Sequence, residues 1–301
     1  MGKKRVKILV LSGGGAHTTT YLGIWQFIHE KIYGNNGVDE RYIPDYIVGT
    51  SGGALFGCFM AARKNGRLLN GKEIKDELIK QKPWKLVRGK PILKAISLLT
   101  GWGLVDIERV RKRIKGVLNK YNINWDTFTK PKYECVVTNL IHGEREYING
   151  SGEPAMDLDI ALSASIAVPG VFKPVEYCRG GETYYYVDGG VCEGFPVRAA
   201  LKLNKNSKIM ALSPFGKPRY HKIDTGMDYV LALFHTLLHS KQEDMEELLR
   251  KKRGDFHLVT GSFASNMLDF SISTINKNFQ LGYRVAEDNE EKIDEFFIED
   301  G

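Results

Sequence analysis

Near its N-terminus this chain carries the same local pattern twice: an apolar run, a glycine-rich turn, and a helix. First, residues 6–11 are apolar apart from Lys7 and read as a buried strand. They run into Ser12-Gly13-Gly14-Gly15-Ala16, after which Tyr21, Leu22, Ile24, Trp25, Ile28 and Ile32 recur at helical spacing. Second, Tyr46, Ile47 and Val48 lead into Gly49-Thr50-Ser51-Gly52-Gly53. Ala54, Leu55, Phe56, Cys58, Phe59 and Met60 follow as a helix-like stretch. Further strands are expected at 133–139, 144–148, 171–175, 183–187 and 208–212, in addition to 7–11 and 46–49. Helices are expected at 20–33, 53–64, 107–121, 157–164 and 226–249. Strands alternating with helices predict an α/β fold, a sheet with helices on both faces. In such sheets ligands bind where strands end at their carboxyl edge.

The second turn is a place for a nucleophile. A serine at the centre of Gly-x-Ser-x-Gly, between strand and helix, sits on a strained turn with its hydroxyl clear of the sheet. Gly49 and Gly53 leave room for a substrate carbonyl, and the helix behind aims amides and its positive dipole end at developing negative charge. The first glycine loop lacks the lysine of a phosphate-binding loop, and Thr18 replaces the last glycine of the dinucleotide pattern. Its glycines can instead point backbone amides at an oxyanion, so Gly13, Gly14, Gly15 and Ala16 are the candidate donors. One such donor is typically worth about 3 kcal/mol in the transition state. A third element is Asp188-Gly189-Gly190, after the strand-like 183–187. Alone, an Asp-Gly pair reads as a plain turn.

In this order the three elements resemble the patatin-like phospholipase family. There a glycine-rich oxyanion loop precedes a Gly-x-Ser-x-Gly nucleophile, and an Asp-Gly-Gly/Ala aspartate follows. Gly103-Leu104-Val105-Asp106, Ala164-Ser165-Ile166-Ala167-Val168-Pro169, Val191 and Pro196 extend the likeness, which covers roughly residues 6–213. It implies a three-layer sandwich with a mostly parallel central sheet, a helical cap and a C-terminal helical segment. The implied organisation is a catalytic domain at 6–213, with a cap at about 70–125, and a mainly helical extension at 214–301 packed on it. The implied activity is hydrolysis of fatty-acyl esters by a Ser51–Asp188 dyad without histidine. The sequence departs from the family pattern at His17 and Thr18, where Arg or Lys then Gly is usual, and at Gly194, where Asn is usual. Those departures motivate one rival, a patatin-fold binding or effector module without turnover. A second rival is a Ser-His-Asp esterase of α/β-hydrolase type using a late histidine such as His257.

Bulk properties narrow the partners. No run of apolar residues is long enough to span a bilayer, and the apolar stretch after the basic N-terminus is too short for a signal peptide. Four cysteines form no Cys-x-x-Cys pair, which fits a reducing, cytoplasmic setting. His235 and His239 have ligand spacing but lack the acidic partner of a metalloprotease motif, and no calcium-loop pattern occurs. No metal or cofactor is therefore expected. The formal net charge of +7 suits anionic surfaces, and no nucleic-acid motif accompanies it. Between Glu77 and Asp106 there is no acidic residue, while Lys80, Lys82, Lys85, Arg88, Lys90 and Lys94 interleave with Trp84, Trp102 and aliphatics. That composition suits peripheral contact with an anionic membrane, or the apolar underside of a cap. The apolar face of 227–238 suits a helix packed on the core, and admits a homo-oligomer contact.

Overall fold

Side chains alternate between two hydrophobic clusters along the first strand, β1 (Lys7–Leu11), which places helices on both sides of it. Leu9 and Leu11 enter one cluster; Ile8 and Val10 enter the other. The same split occurs in β2 (Tyr46–Thr50), with Ile47 on the first face and Val48 on the second. The computed structural model describes residues 5–34, 37–83, 105–152, 155–214, 223–240, 242–250, 255–264 and 266–298.

The remaining strands of the main sheet are β3 (Lys132–Asn139), β4 (Glu144–Ile148), β5 (Val175–Arg179), β6 (Glu182–Asp188), β7 (Lys208–Ser213) and β8 (Phe256–Val259). The order is β8-β7-β1-β2-β3-β6-β5, with β4 also paired to β3. Strands β8, β7, β1, β2 and β3 run parallel; β6, β5 and β4 join antiparallel. Among the helices, α1 (Thr20–Ile32), α2 (Gly52–Ala61), α3 (Gly71–Gln81), α4 (Ile107–Tyr121) and α5 (Leu158–Ser165) feed the larger cluster. After the short α6 (Gly190–Glu193), α7 (Val197–Leu203) and α9 (Gln242–Arg250) cover the opposite face, with α8 (Gly226–Ser240) between them in sequence. Finally, α10 (Ile272–Glu287) lies along α1, and α11 (Glu290–Ile298) adds Ile293, Phe296 and Phe297 to the larger cluster. The fold is thus a mixed α/β sandwich around a mostly parallel sheet.

Three sequence expectations change. Residues 171–174 are not strand. Gly170 has φ 80°, and the chain turns there so that Val168 and Val171 pack towards α8; the strand begins only at Val175. The span 226–249 holds two helices, α8 and α9. The stretch after residue 213, expected to be mainly helical, also holds one strand not among those expected, β8, which extends the sheet beside β7. Helix α3, not among the expected helices, starts at a capping box: Asn70 Oδ1 accepts from the Glu73 amide, and the Glu73 carboxylate accepts from the Asn70 amide. Lys7, the odd residue in the apolar β1, donates to the Phe297 carbonyl, and Lys208 donates to the Glu295 carbonyl at 2.7 Å. Both cations therefore serve the C-terminal end of α11, where the helix dipole favours them.

Candidate active site

Ser51 sits between β2 and α2 with φ 56° and ψ −127°. For a residue with a side chain this backbone costs on the order of 1–3 kcal/mol, so its surroundings must impose it. Its amide donates to Ser165 Oγ at 3.0 Å, and the Ser165 hydroxyl donates in turn to the Val136 carbonyl at 2.7 Å. Its carbonyl accepts from the Leu55 amide at 3.0 Å. Gly53 is pressed against β1: a Cβ there would lie 2.5 Å from the Leu11 and Ser12 carbonyl oxygens. Gly49 is equally tight, because its Cβ would meet the Gly53 carbonyl.

The aspartate arrives by a route the sequence did not suggest. It ends an antiparallel strand, not a parallel one. In β3, Thr50 lies opposite Val136 and Asp188 lies opposite Val137. The carboxyl ends of β2 and β6 therefore abut one residue apart along a shared neighbour. The Ser51 hydroxyl donates to Asp188 Oδ2 at 2.6 Å, and the Gly190 amide donates to Asp188 Oδ1 at 2.7 Å. The backbone of Asp188 is fixed on both sides, with its amide on the Ala167 carbonyl and its carbonyl on the Thr138 hydroxyl, each at 3.0 Å. Gly189 admits no side chain, since a Cβ would collide with the Val136 carbonyl. Asp188 is fully buried, which pushes its carboxyl up to about 7; the Ser51 and Gly190 hydrogen bonds oppose that rise.

The glycine loop abuts this pair, with a Gly13 Cβ position 3.2 Å from Ser51 Cβ. The four expected amides divide into two kinds. Gly13 donates to the Gly194 carbonyl and Ala16 to the Met267 carbonyl, each at 2.8 Å. Those amides are committed to shaping the loop. The amides of Gly14 and Gly15 have no acceptor among the described residues.

Two residues matter more than the sequence indicated. Ser165 lies in the Ala-Ser-x-x-x-Pro segment, but nothing in the pattern said it would hold the Ser51 amide. Asn278, fully buried on α10, donates to the Ala16 carbonyl at 3.2 Å and to Thr19 Oγ1 at 2.9 Å. Its Oδ1 accepts from the Phe263 amide at 2.7 Å and from the Ser262 hydroxyl at 3.1 Å. The only sequence signal was a polar residue on the face that also buries Ile275, Phe279 and Gly282.

Other candidates are placed elsewhere. His257, on β8, faces Glu246 at 3.3 Å and lies tilted against Phe195 with ring centroids 5.0 Å apart, and burial lowers its pKa. It is not brought to Ser51, whose hydroxyl is already given to Asp188. The basic, Trp-containing segment falls mostly on residues 84–104, outside the described residues, as does the side chain of His239. His235 lies by His17, ring centroids 6.4 Å apart. Among the described residues, no group of three or more His, Cys, Asp and Glu is arranged for a metal ion, and no helix is long and apolar enough to cross a membrane.

The chain resembles several known proteins in sequence. The chain is similar to YqhO, an uncharacterised protein of Bacillus subtilis (strain 168), with 23% identity over 76% of this chain and 79% of that protein. It is 28% identical to the cGAMP-activated phospholipase of Vibrio cholerae over 64% of this chain and 56% of that protein, so the match spans just over half of the Vibrio protein's length. Among solved structures, VipD from Legionella pneumophila aligns with a TM-score of 0.47 at 13% identity, over 97% of this chain and 67% of that one. The sequence model of the patatin-like phospholipases matches residues 9–201, which include the glycine loop, Ser51 and Asp188. With well over half its length matched, the chain belongs to the patatin-like phospholipase family.

Proposed function

We propose that the protein is a lipid acyl hydrolase of phospholipase A type, with Ser51 as nucleophile and Asp188 as its base. The observation that carries this is the buried 2.6 Å hydrogen bond from the Ser51 hydroxyl to a carboxylate held near pKa 7. An ordinary aspartate is a weak base at neutral pH; one raised by burial is matched to the task. Ser51 Oγ attacks the ester carbonyl while its proton passes to Asp188 Oδ2. The amides of Gly14 and Gly15 receive the negative charge of the tetrahedral intermediate, and the α2 N-terminus adds its dipole. Collapse breaks the ester bond, and the leaving alkoxide takes the proton from Asp188. Water then attacks the acyl-Ser51 ester, again giving its proton to Asp188, and the fatty acid leaves as Ser51 recovers its own.

The family supports a lipid ester as substrate class. Because the dyad generates the nucleophile without a metal, hydrolysis is expected to continue with chelator present. The test is incubation of purified protein with mixed phospholipid vesicles, with products identified by mass. Fatty acid and lysophospholipid should appear in equal amounts. Release of a phosphorylated head group, with no free fatty acid, would defeat the acyl-hydrolase reading.

A further inference from the structure

Ser51 is 2% exposed and Asp188 is fully buried, so a lipid ester reaches neither until something moves. Helix α8 is what covers them. Leu238 Cδ2 lies 3.2 Å from the place a Gly13 Cβ would take, the same distance as Ser51 Cβ. It lies 2.7 Å from the corresponding place at Gly194. A Cβ on Gly190 would run into Leu238 Cδ2, and would stand 3.0 Å from both the Phe234 ring and Asp188 Oδ1. Three glycines around the dyad thus leave the space that Leu238 fills. Leu231, Phe234 and Leu238, at helical spacing, bury themselves against Val168, Val171 and Met267.

The outward side of α8 also carries exposed apolar residues, interleaved with the hydroxyls of Thr236 and Ser240. Tyr229, Leu233 and Leu237, four residues apart, are 55%, 48% and 46% exposed and form one stripe. Residues 229–240 contain no Asp, Glu, Lys or Arg. A helix packed on a core and facing water ordinarily carries charge on its outer side. Resting on the proposed acyl-hydrolase activity, we infer that α8 is a lid over the dyad whose outer stripe docks on an anionic lipid surface. In water, lifting α8 exposes Leu231, Phe234 and Leu238 and is opposed by the hydrophobic effect. At a lipid surface both faces of the helix find apolar surroundings, so opening loses that penalty. The formal net charge of +7 draws the chain to an anionic leaflet, where the substrate esters lie.

The experiment follows the rate at which a fluorophosphonate labels Ser51 in the full chain. Labelling is measured in buffer and with vesicles of uncleavable ether-linked phosphatidylcholine and phosphatidylglycerol in equal parts. Wild type should label slowly in buffer and about tenfold or more faster on vesicles, the signature of a population shift. Leu238→Ala should label fast in buffer alone, with its melting temperature recorded to show that it is folded. The exposed triple variant Tyr229→Ser/Leu233→Ser/Leu237→Ser should keep the wild-type rate in buffer. It should neither sediment with vesicles nor be accelerated by them. Equal Ser51 labelling of wild type with and without vesicles, unchanged in Leu238→Ala, overturns the lid while leaving the nucleophile standing. No labelling of Ser51 in any form removes the nucleophile and the lid together. A triple variant that still binds and responds overturns the docking surface. So does one that changes only the sedimentation coefficient of the free protein, which would mark the stripe as a contact between copies.

Discussion

At the level of single residues, the environment of one carboxyl group governs the proposed chemistry. Asp188 must be ionised to accept the Ser51 proton, so kcat should rise with pH to a plateau above about 7, where burial has moved its pKa. A profile flat from pH 5 to 8 would contradict this (about the range in which ordinary carboxylates are already ionised). The same shift predicts a stability effect. The pKa rises from 3.8 unfolded to about 7 folded, so between those values the folded state holds a proton that the unfolded state has released. Stability therefore falls as pH rises through that window and levels off above it. Asp188→Asn does not titrate. Relative to wild type, it should gain on the order of a few kcal/mol between pH 4 and 8, read as a widening gap in denaturant midpoint. Glu134, also buried and pushed up to about 7, contributes a slope of the same sign in both proteins and cancels from the comparison. Parallel stability curves for the two proteins would mean that Asp188 is not strained by burial.

At the scale of elements, the question is what holds the glycine loop in shape. Asn278 on α10 and the Met267 carbonyl both bind it, through Ala16 and Thr19. Asn278→Ala strands buried polar partners and should cost roughly 2–3 kcal/mol. By loosening the loop it should also lower kcat by about tenfold or more. Ile275→Val, on the same buried helix face, is the control: it should cost about 1 kcal/mol and leave kcat unchanged. Equal rates in the two variants would separate α10 from the site. Asn278 also marks where sequence reading stops. Ser51, Asp188 and the glycine loop stand out in the sequence because the chemistry proposed for them needs particular residues next to one another in the chain. Asn278 acts on a loop more than two hundred and fifty residues away, and such a partnership leaves no local pattern. The roles of Gly13 and Ala16 were hidden for the same reason, since their amides are taken by Gly194 and Met267. Helices α3, α7, α10 and α11 went unexpected, whereas α1, α2, α4, α5 and the central parallel strands were legible. The turn at Gly170 and the strand β8 were not. The first is an apolar run bent to meet α8, and the second is a short edge strand whose pairing with β7 decides its form.

At the scale of the whole molecule, the stretch after Ser213 adds a strand to the sheet, braces the glycine loop and receives the buried Lys7 and Lys208. A chain ending at residue 213 should therefore fail to fold to an active form, seen as loss of a cooperative thermal transition and of esterase activity. A stable, active 1–213 fragment would show instead that the catalytic unit is independent of its C-terminal part. The central claim is that this family member cleaves lipid acyl esters with Ser51. Its most direct measure is fatty-acid release from mixed phospholipid vesicles by Ser51→Ala beside wild type, both shown folded by their melting temperatures. Turnover by the variant should fall by at least about a thousandfold. Release at the wild-type rate by Ser51→Ala would contradict the claim.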